Sequence, residues 1–216
     1  MSYILGDLVT RVQQRIRDTG YSSAEIKNYI NDAQRDVFNE YKLPFMETSQ
    51  DYTVAVGVTD ITNGVGLPAN YVQVVDLILT GDGEKYIPYK DVVEVDKDDY
   101  DDDTKAPQYW YKYADTIRVY PAPATAYTVT LRYYKSPTEI TLDAAVPEIP
   151  PEFEEMLVMG AAYRVLQVKD NYDQAGVLQN KYDEILQKLV KKYTQVQTGQ
   201  PTIMRINRRG LGKAHF

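Results

Sequence analysis

The chain has 216 residues, a net charge of −7 and a pI near 4.8, with 44% apolar and 25% charged residues. That length suits one large domain or one and a half small ones, and it buries a core without disulfide or metal staples. There is no cysteine and a single histidine, His215. This excludes disulfides, thiol nucleophiles, thiolate metal sites, histidine triads and multi-histidine metal centres, and the acidic balance argues against a diffuse basic surface for nucleic acid.

The chain opens with a helical pattern. Leu5, Leu8, Val9, Val12 and Ile16 recur at 3.6-residue spacing within Ile4 to Asp18, and Gly20 is expected to end the helix in a left-handed cap. Ser22-Ser23-Ala24-Glu25 offers a capping box for a second helix. Ile26, Tyr29, Ile30, Ala33, Val37 and Tyr41 share its apolar face, and Pro44 stops it.

From about residue 50 to 134 the period changes to two. Asp51 to Val56 alternates; Val72 to Thr80 and Lys85 to Tyr89 flank the turn Gly81-Asp82-Gly83; Gln108 to Tyr113 and Thr116 to Tyr120 flank Ala114-Asp115; and Tyr127 to Tyr134 is rich in Thr, Val and Tyr. The expectation is one antiparallel sheet or small barrel of five to seven strands.

Helix returns after Pro147, Pro150 and Pro151. The run Met156-Leu157-Val158-Met159-Gly160-Ala161-Ala162-Tyr163 is apolar on every face, so the third helix is buried all round, either centrally or against a neighbouring subunit. Met156, Met159 and Tyr163 are the candidate subunit-interface residues. A fourth helix runs from about Tyr172 to Val196, with Leu178, Tyr182, Ile185, Leu186, Leu189 and Tyr193 as its stripe and Gly199 and Pro201 as its stop. The order predicts an α+β fold: a four-helix bundle from the two terminal helix pairs, an antiparallel β-rich insertion, and an extended C-terminal arm. The units are residues 1–48 with 147–196, 49–146, and 197–216.

The N-terminus lacks a basic segment followed by a long apolar one, so no signal peptide is expected. The longest apolar run has eight residues, against about 20 for a membrane span, so no membrane partner is expected. Of thirteen residues from Asp91 to Asp103, eight are acidic and only Lys97 is basic. Asp99, Asp101 and Asp103 alternate as in a calcium loop, but Thr104 stands where glycine is needed and Trp110 where a bidentate glutamate is needed. The run reads as a solvated acidic loop. No phosphate-cradling glycine loop or nucleophile elbow is present, and no catalytic residue, metal ligand or cofactor is assigned.

The tail differs from the body. Residues 197–216 hold Arg205, Arg208, Arg209 and Lys213 and no acid, leaving 20 bases against 31 acids elsewhere. Ile203, Ile206, Leu211 and Phe216 are interleaved with those charges. The mixture suits an arm that orders on a partner surface; a frayed terminus and a nucleic-acid contact are the competing readings. The twenty tyrosines suit surfaces between subunits.

The stretches Leu8 to Asp18, Tyr21 to Val37, Ile117-Arg118-Val119-Tyr120-Pro121-Ala122-Pro123, the strand ending in Tyr133-Tyr134, and Pro150 to Leu166 occur in this order. Together they resemble tailed-phage head-to-tail adaptor (neck) proteins. The resemblance implies a helical bundle with a β insertion, assembled as a ring, commonly of twelve, beneath the portal. Its C-terminal arms would reach the portal through Ile203, Arg205, Ile206, Arg208, Arg209, Leu211, Lys213 and Phe216. It further implies a downstream tail or neck protein as partner, a channel that passes genomic DNA, and a place in the virion after synthesis in the host cytoplasm. A peptidoglycan-degrading tail enzyme and a DNA-binding packaging factor are the alternative functions.

Overall fold

The computed structural model describes residues 3–80, 85–95 and 106–194. Helix α1 spans Leu5–Ile16 and buries all five residues of its apolar stripe. It ends differently from expectation. Arg17 takes the left-handed conformation at φ 56° and its amide donates to the Gln14 carbonyl at 3.2 Å. Gly20 instead lies in the following turn, where its amide donates to Asp18 Oδ1 at 3.0 Å. The helix stops one turn short of the glycine, so the strained residue is an arginine.

Helix α2 spans Ser23–Glu40, and Ser22 Oγ accepts from the Glu25 amide at 3.4 Å. A 3-10 turn at Pro44–Met46 then delivers the chain into β1, Glu47–Val54. β2 is Tyr71–Thr80, β3 Lys85–Ile87, the single-turn helix α3 Val92–Val95, β4 Tyr109–Tyr113, β5 Thr116–Tyr120 and β6 Tyr127–Lys135. Helix α4 (Glu154–Val168) follows a 3-10 turn at Pro151–Phe153, and α5 (Tyr172–Thr194) closes the described structure.

The strands form a four-stranded antiparallel sheet, ordered β1-β6-β2-β3, and a separate β4-β5 hairpin. Backbone bonds join the two: Lys90 N to Trp110 O at 2.9 Å, and Trp110 N to Pro88 O at 3.0 Å. The segment after β1 closes the other side, with Val119 N to Thr59 O at 2.8 Å and Ile61 N to Ile117 O at 3.1 Å. The alternating inward residues Tyr52, Val54, Leu77, Leu79, Trp110, Ile117, Val119, Val129 and Leu131 thus share one core.

The four long helices do not form the expected four-helix bundle. α4 packs against α1, α2 and α5, whereas α5 has no comparable packing with α1 or α2. The reason lies in α4 itself. Met156, Leu157, Val158, Met159, Ala161, Ala162 and Val165 are buried around its whole circumference, so it needs a neighbour on every side. The other three helices each have one apolar stripe and pack on it singly. Gly160 permits the closest approach. A β-carbon there would lie 2.8 Å from Ala33 Cβ of α2 and 3.1 Å from the Tyr182 ring of α5. Ion pairs flank the hub: Arg11 and Arg15 of α1 both bond Glu155, at 3.0 and 2.6 Å, and Arg164 of α4 bonds Asp36 of α2.

Residues 136–150 cross from the sheet to α4 as a strap along α2. Ile140 and Ile149 insert into the helical core. Gln34 Oε1 accepts the Glu148 amide at 2.9 Å and Asn31 grips the Ile140 backbone. Lys135 Nζ lies 2.5 Å from Glu148 Oε2, and Lys27 Nζ lies 2.7 Å from Asp143 Oδ1.

Candidate assembly surfaces

The chain's own helices cover two of the three candidate interface residues. Met156 is fully buried and Met159 is 5% exposed, both in the helical core. Tyr163 is half-buried, its ring 5.8 Å from that of Tyr182, with the Arg164 guanidinium over its face at 4.7 Å. The arm residues Ile203, Arg205, Ile206, Arg208, Arg209, Leu211, Lys213 and Phe216 lie outside the described residues. Of the acidic run, Asp91 and Glu94 are exposed and residues 96–103 lie outside the described residues.

A groove of about 570 Å³ runs between the C-terminal end of α2 and the middle of α5. Its floor is Tyr41, Tyr182 and Leu186, and its rim carries Asp36, Glu40 and Asp183. Tyr182 and Leu186 are buried, as members of the α5 stripe; Glu40 and Asp183 are exposed. Asp36 is occupied by Arg164, so Glu40 and Asp183 carry the free negative charge of the rim among the described residues. Burial, then the neighbouring Glu40, then Asp183, push the Tyr41 hydroxyl above its ordinary pKa. Burial likewise raises Tyr182, against the opposing pull of Arg164. Both phenols therefore stay neutral donors, suited to carbonyl or carboxylate acceptors.

Sequence reading missed this groove. Tyr41 and Tyr182 were legible as apolar-stripe residues, whereas Glu40 and Asp183 were not singled out. What brings the four together is the packing of both helices on α4, across about 140 residues of chain, and single-helix periodicity carries no signal for that.

A second depression, of about 410 Å³, is lined by Arg11, Arg15, Arg17 and Glu155. Glu155 is within bonding distance of two of those guanidiniums, which neutralises much of the basic character. The exposed apolar and aromatic side chains include Val168, Tyr172 and Val177 around the α4–α5 turn, and Tyr86, Tyr89 and Tyr113 on the β-rich half. Such side chains at a rim suit protein contacts rather than chemistry. Among the described residues no group of three or more His, Asp or Glu side chains is placed to hold a metal ion, and no helix is long and apolar enough to cross a membrane.

No curated protein matches the chain. Residues 3–207 match the family model described as SU10 adaptor protein. The match takes in the helical core, the β-rich core and the strap between them, and runs past the end of α5. Because that match covers nearly the whole chain, the chain belongs to the SU10 adaptor protein family, in keeping with its resemblance to phage head-to-tail adaptors.

Proposed function

We propose that this chain is a structural head-to-tail adaptor of a tailed phage. Copies assemble as a ring, twelve being the expected number, beneath the portal. The helical unit (1–48 and 147–196) and the β-rich unit (49–146) form the ring body. The arm (197–216) docks on the portal, a tail or neck protein binds below, and genomic DNA passes through the channel. The protein resides in the virion neck.

The observation that carries this reading is the family match from residue 3 to residue 207, which includes the first part of the basic arm. Two physical features support it. An acidic body gives a lumen that does not hold phosphates by counterion release. An arm of interleaved arginines and aliphatic residues adds affinity on each subunit, and many arms on one ring multiply it.

The test is co-sedimentation with portal rings. The full chain is expected to pellet with the portal. A chain truncated after Thr198, shown to be folded by thermal melting, is expected to remain in the supernatant. Unchanged portal binding by the folded truncation would remove the arm from its docking role.

A further inference from the structure

The groove between α2 and α5 and the basic arm belong to the same chain, and their geometry relates them. Asp183 and Thr194 are eleven residues apart on α5, which is three helical turns, so they lie on one face. Gln187, also at the groove, is on that face. Thr194, the last described residue of α5, therefore lies on the side where the groove opens, about 16 Å from it at 1.5 Å per residue. Five extended residues span that distance. With three more for a reversal directly after Thr194, eight residues suffice, which puts the stretch from Ile203 to Arg208 within reach of Glu40 and Asp183.

The chemistry matches at that register. The groove has an aromatic and aliphatic floor, Tyr41, Tyr182 and Leu186, beneath two carboxylates that have no bonded cation among the described residues. The arm carries Ile203 and Ile206 interleaved with Arg205 and Arg208, and no acid. Arginine pairs with carboxylates through two donors and stacks on tyrosine faces, as Arg164 does on Tyr163 at this same surface.

We propose that in the unassembled subunit the arm folds back into the α2–α5 groove of its own chain, with Ile203 and Ile206 on the tyrosine floor and Arg205 and Arg208 against Glu40 and Asp183. This rests on the reading of the arm as the portal-docking element and adds a parked state from which docking must release it. The pairs are exposed on the rim, so the parked state is weak, is screened by salt, and yields to a portal surface offering more contacts.

The native chain has no cysteine, which makes disulfide trapping in the full-length protein direct. Gln187→Cys with Ile206→Cys is expected to form an intramolecular disulfide in the monomeric fraction. The control pair, Lys181→Cys with Ile206→Cys, is expected not to. Adding Glu40→Lys and Asp183→Lys to the trapping pair should lower the yield about fivefold, as should raising the salt. These charge reversals lie on exposed side chains and leave the helical circular dichroism unchanged. An equal yield from both cysteine pairs, or none from either, would overturn the proposal; so would a disulfide found only between chains, which would place the arm on a neighbour. Failure of the docking reading looks different: there the trapped and reduced proteins sediment equally with the portal, whereas a parked docking arm sediments only after reduction.

Discussion

Asn31 of α2 and Ile140 of the strap are joined by two hydrogen bonds: Asn31 Nδ2 donates to the Ile140 carbonyl at 2.8 Å, and the Ile140 amide donates to Asn31 Oδ1 at 2.9 Å. The side-chain amide thus takes the place of a strand partner for a segment that has none. Asn31 is 4% exposed, so water cannot substitute when it is removed.

Asn31→Leu keeps the branching at Cγ and leaves both backbone groups of Ile140 orphaned. A cost of about 2–4 kcal/mol is expected, from two unsatisfied buried groups at roughly 1–3 kcal/mol each with partial relaxation. Urea unfolding followed by helical circular dichroism measures it. Gln34→Leu, whose second bond to the strap is longer at 3.4 Å, is expected to cost less. Equal losses at the two positions would show that the strap responds as a unit rather than at Ile140.

Gly160 is the second position where a single atom decides. Alanine gains about 1 kcal/mol in intrinsic helix preference, but its β-carbon meets Ala33 Cβ at 2.8 Å, and overpacking costs about 1–3 kcal/mol. Gly160→Ala is expected to be mildly destabilising and Gly160→Val clearly so. The double variant Ala33→Gly with Gly160→Ala moves the methyl across the same contact, and it should recover most of the loss. A thermal-melt cycle over the three proteins reads the coupling; additive effects would mean that the helices separate freely there.

The helical stripes were legible because periodicity within one element sets which face is buried, and α1 shows all five expected residues inside. The all-round apolar character of α4 also announced a central helix. The bundle was not legible, because the stripes of α1 and α5 each require only a neighbour, and α4 packs against both. The interface assignment of Met156 and Met159 met the same ambiguity: a helix apolar all round is buried equally by its own chain or by a second copy, and here its own chain supplies the cover. The Tyr41–Tyr182 groove depends on contacts of long sequence separation that composition does not encode.

Tyrosine chemistry sets the alkaline limit. Burial, then Glu25, then Tyr29, push Tyr21 up to about 12 from an ordinary value of 10, and burial raises Tyr52, Tyr71, Tyr133 and Tyr134 as well. A phenol whose folded pKa is raised holds its proton more tightly when folded. Its contribution is complete below pH 10 and is lost as pH rises toward about 12, where the unfolded chain ionises first. Stability is therefore expected to fall steeply above pH 10. Tyr52 sharpens the test, since its buried hydroxyl has no hydrogen-bond partner among the described residues. Tyr52→Phe should leave stability at pH 7 unchanged or raise it by about 1 kcal/mol, and should reduce the alkaline slope in a pH series of urea midpoints. A loss at neutral pH would reveal a bond to that hydroxyl.

The two cores give the last prediction. Trp110 is the only tryptophan and lies among Ile117, Val119 and Leu131 in the β-rich core, while Leu8, Ile30, Met156 and Leu178 form a separate helical one. Fluorescence therefore reports the first core and helical circular dichroism the second. The cores are tied by the strap and by Tyr134, which packs on the helical core while sitting in β6. Those ties are few beside the packing within each core, so the halves should unfold with distinct midpoints once either is weakened. Leu131→Ala removes a fully buried side chain of the β-rich core, at about 2–5 kcal/mol. It is expected to lower the Trp110 transition well below the helical one, and Gly160→Val to reverse that order. Urea titrations read by both signals on both variants decide the matter. If the two probes stay coincident in each variant, Asn31, Gln34 and Tyr134 bind the halves into one cooperative unit, and the strap carries more of the coupling than its few bonds suggest.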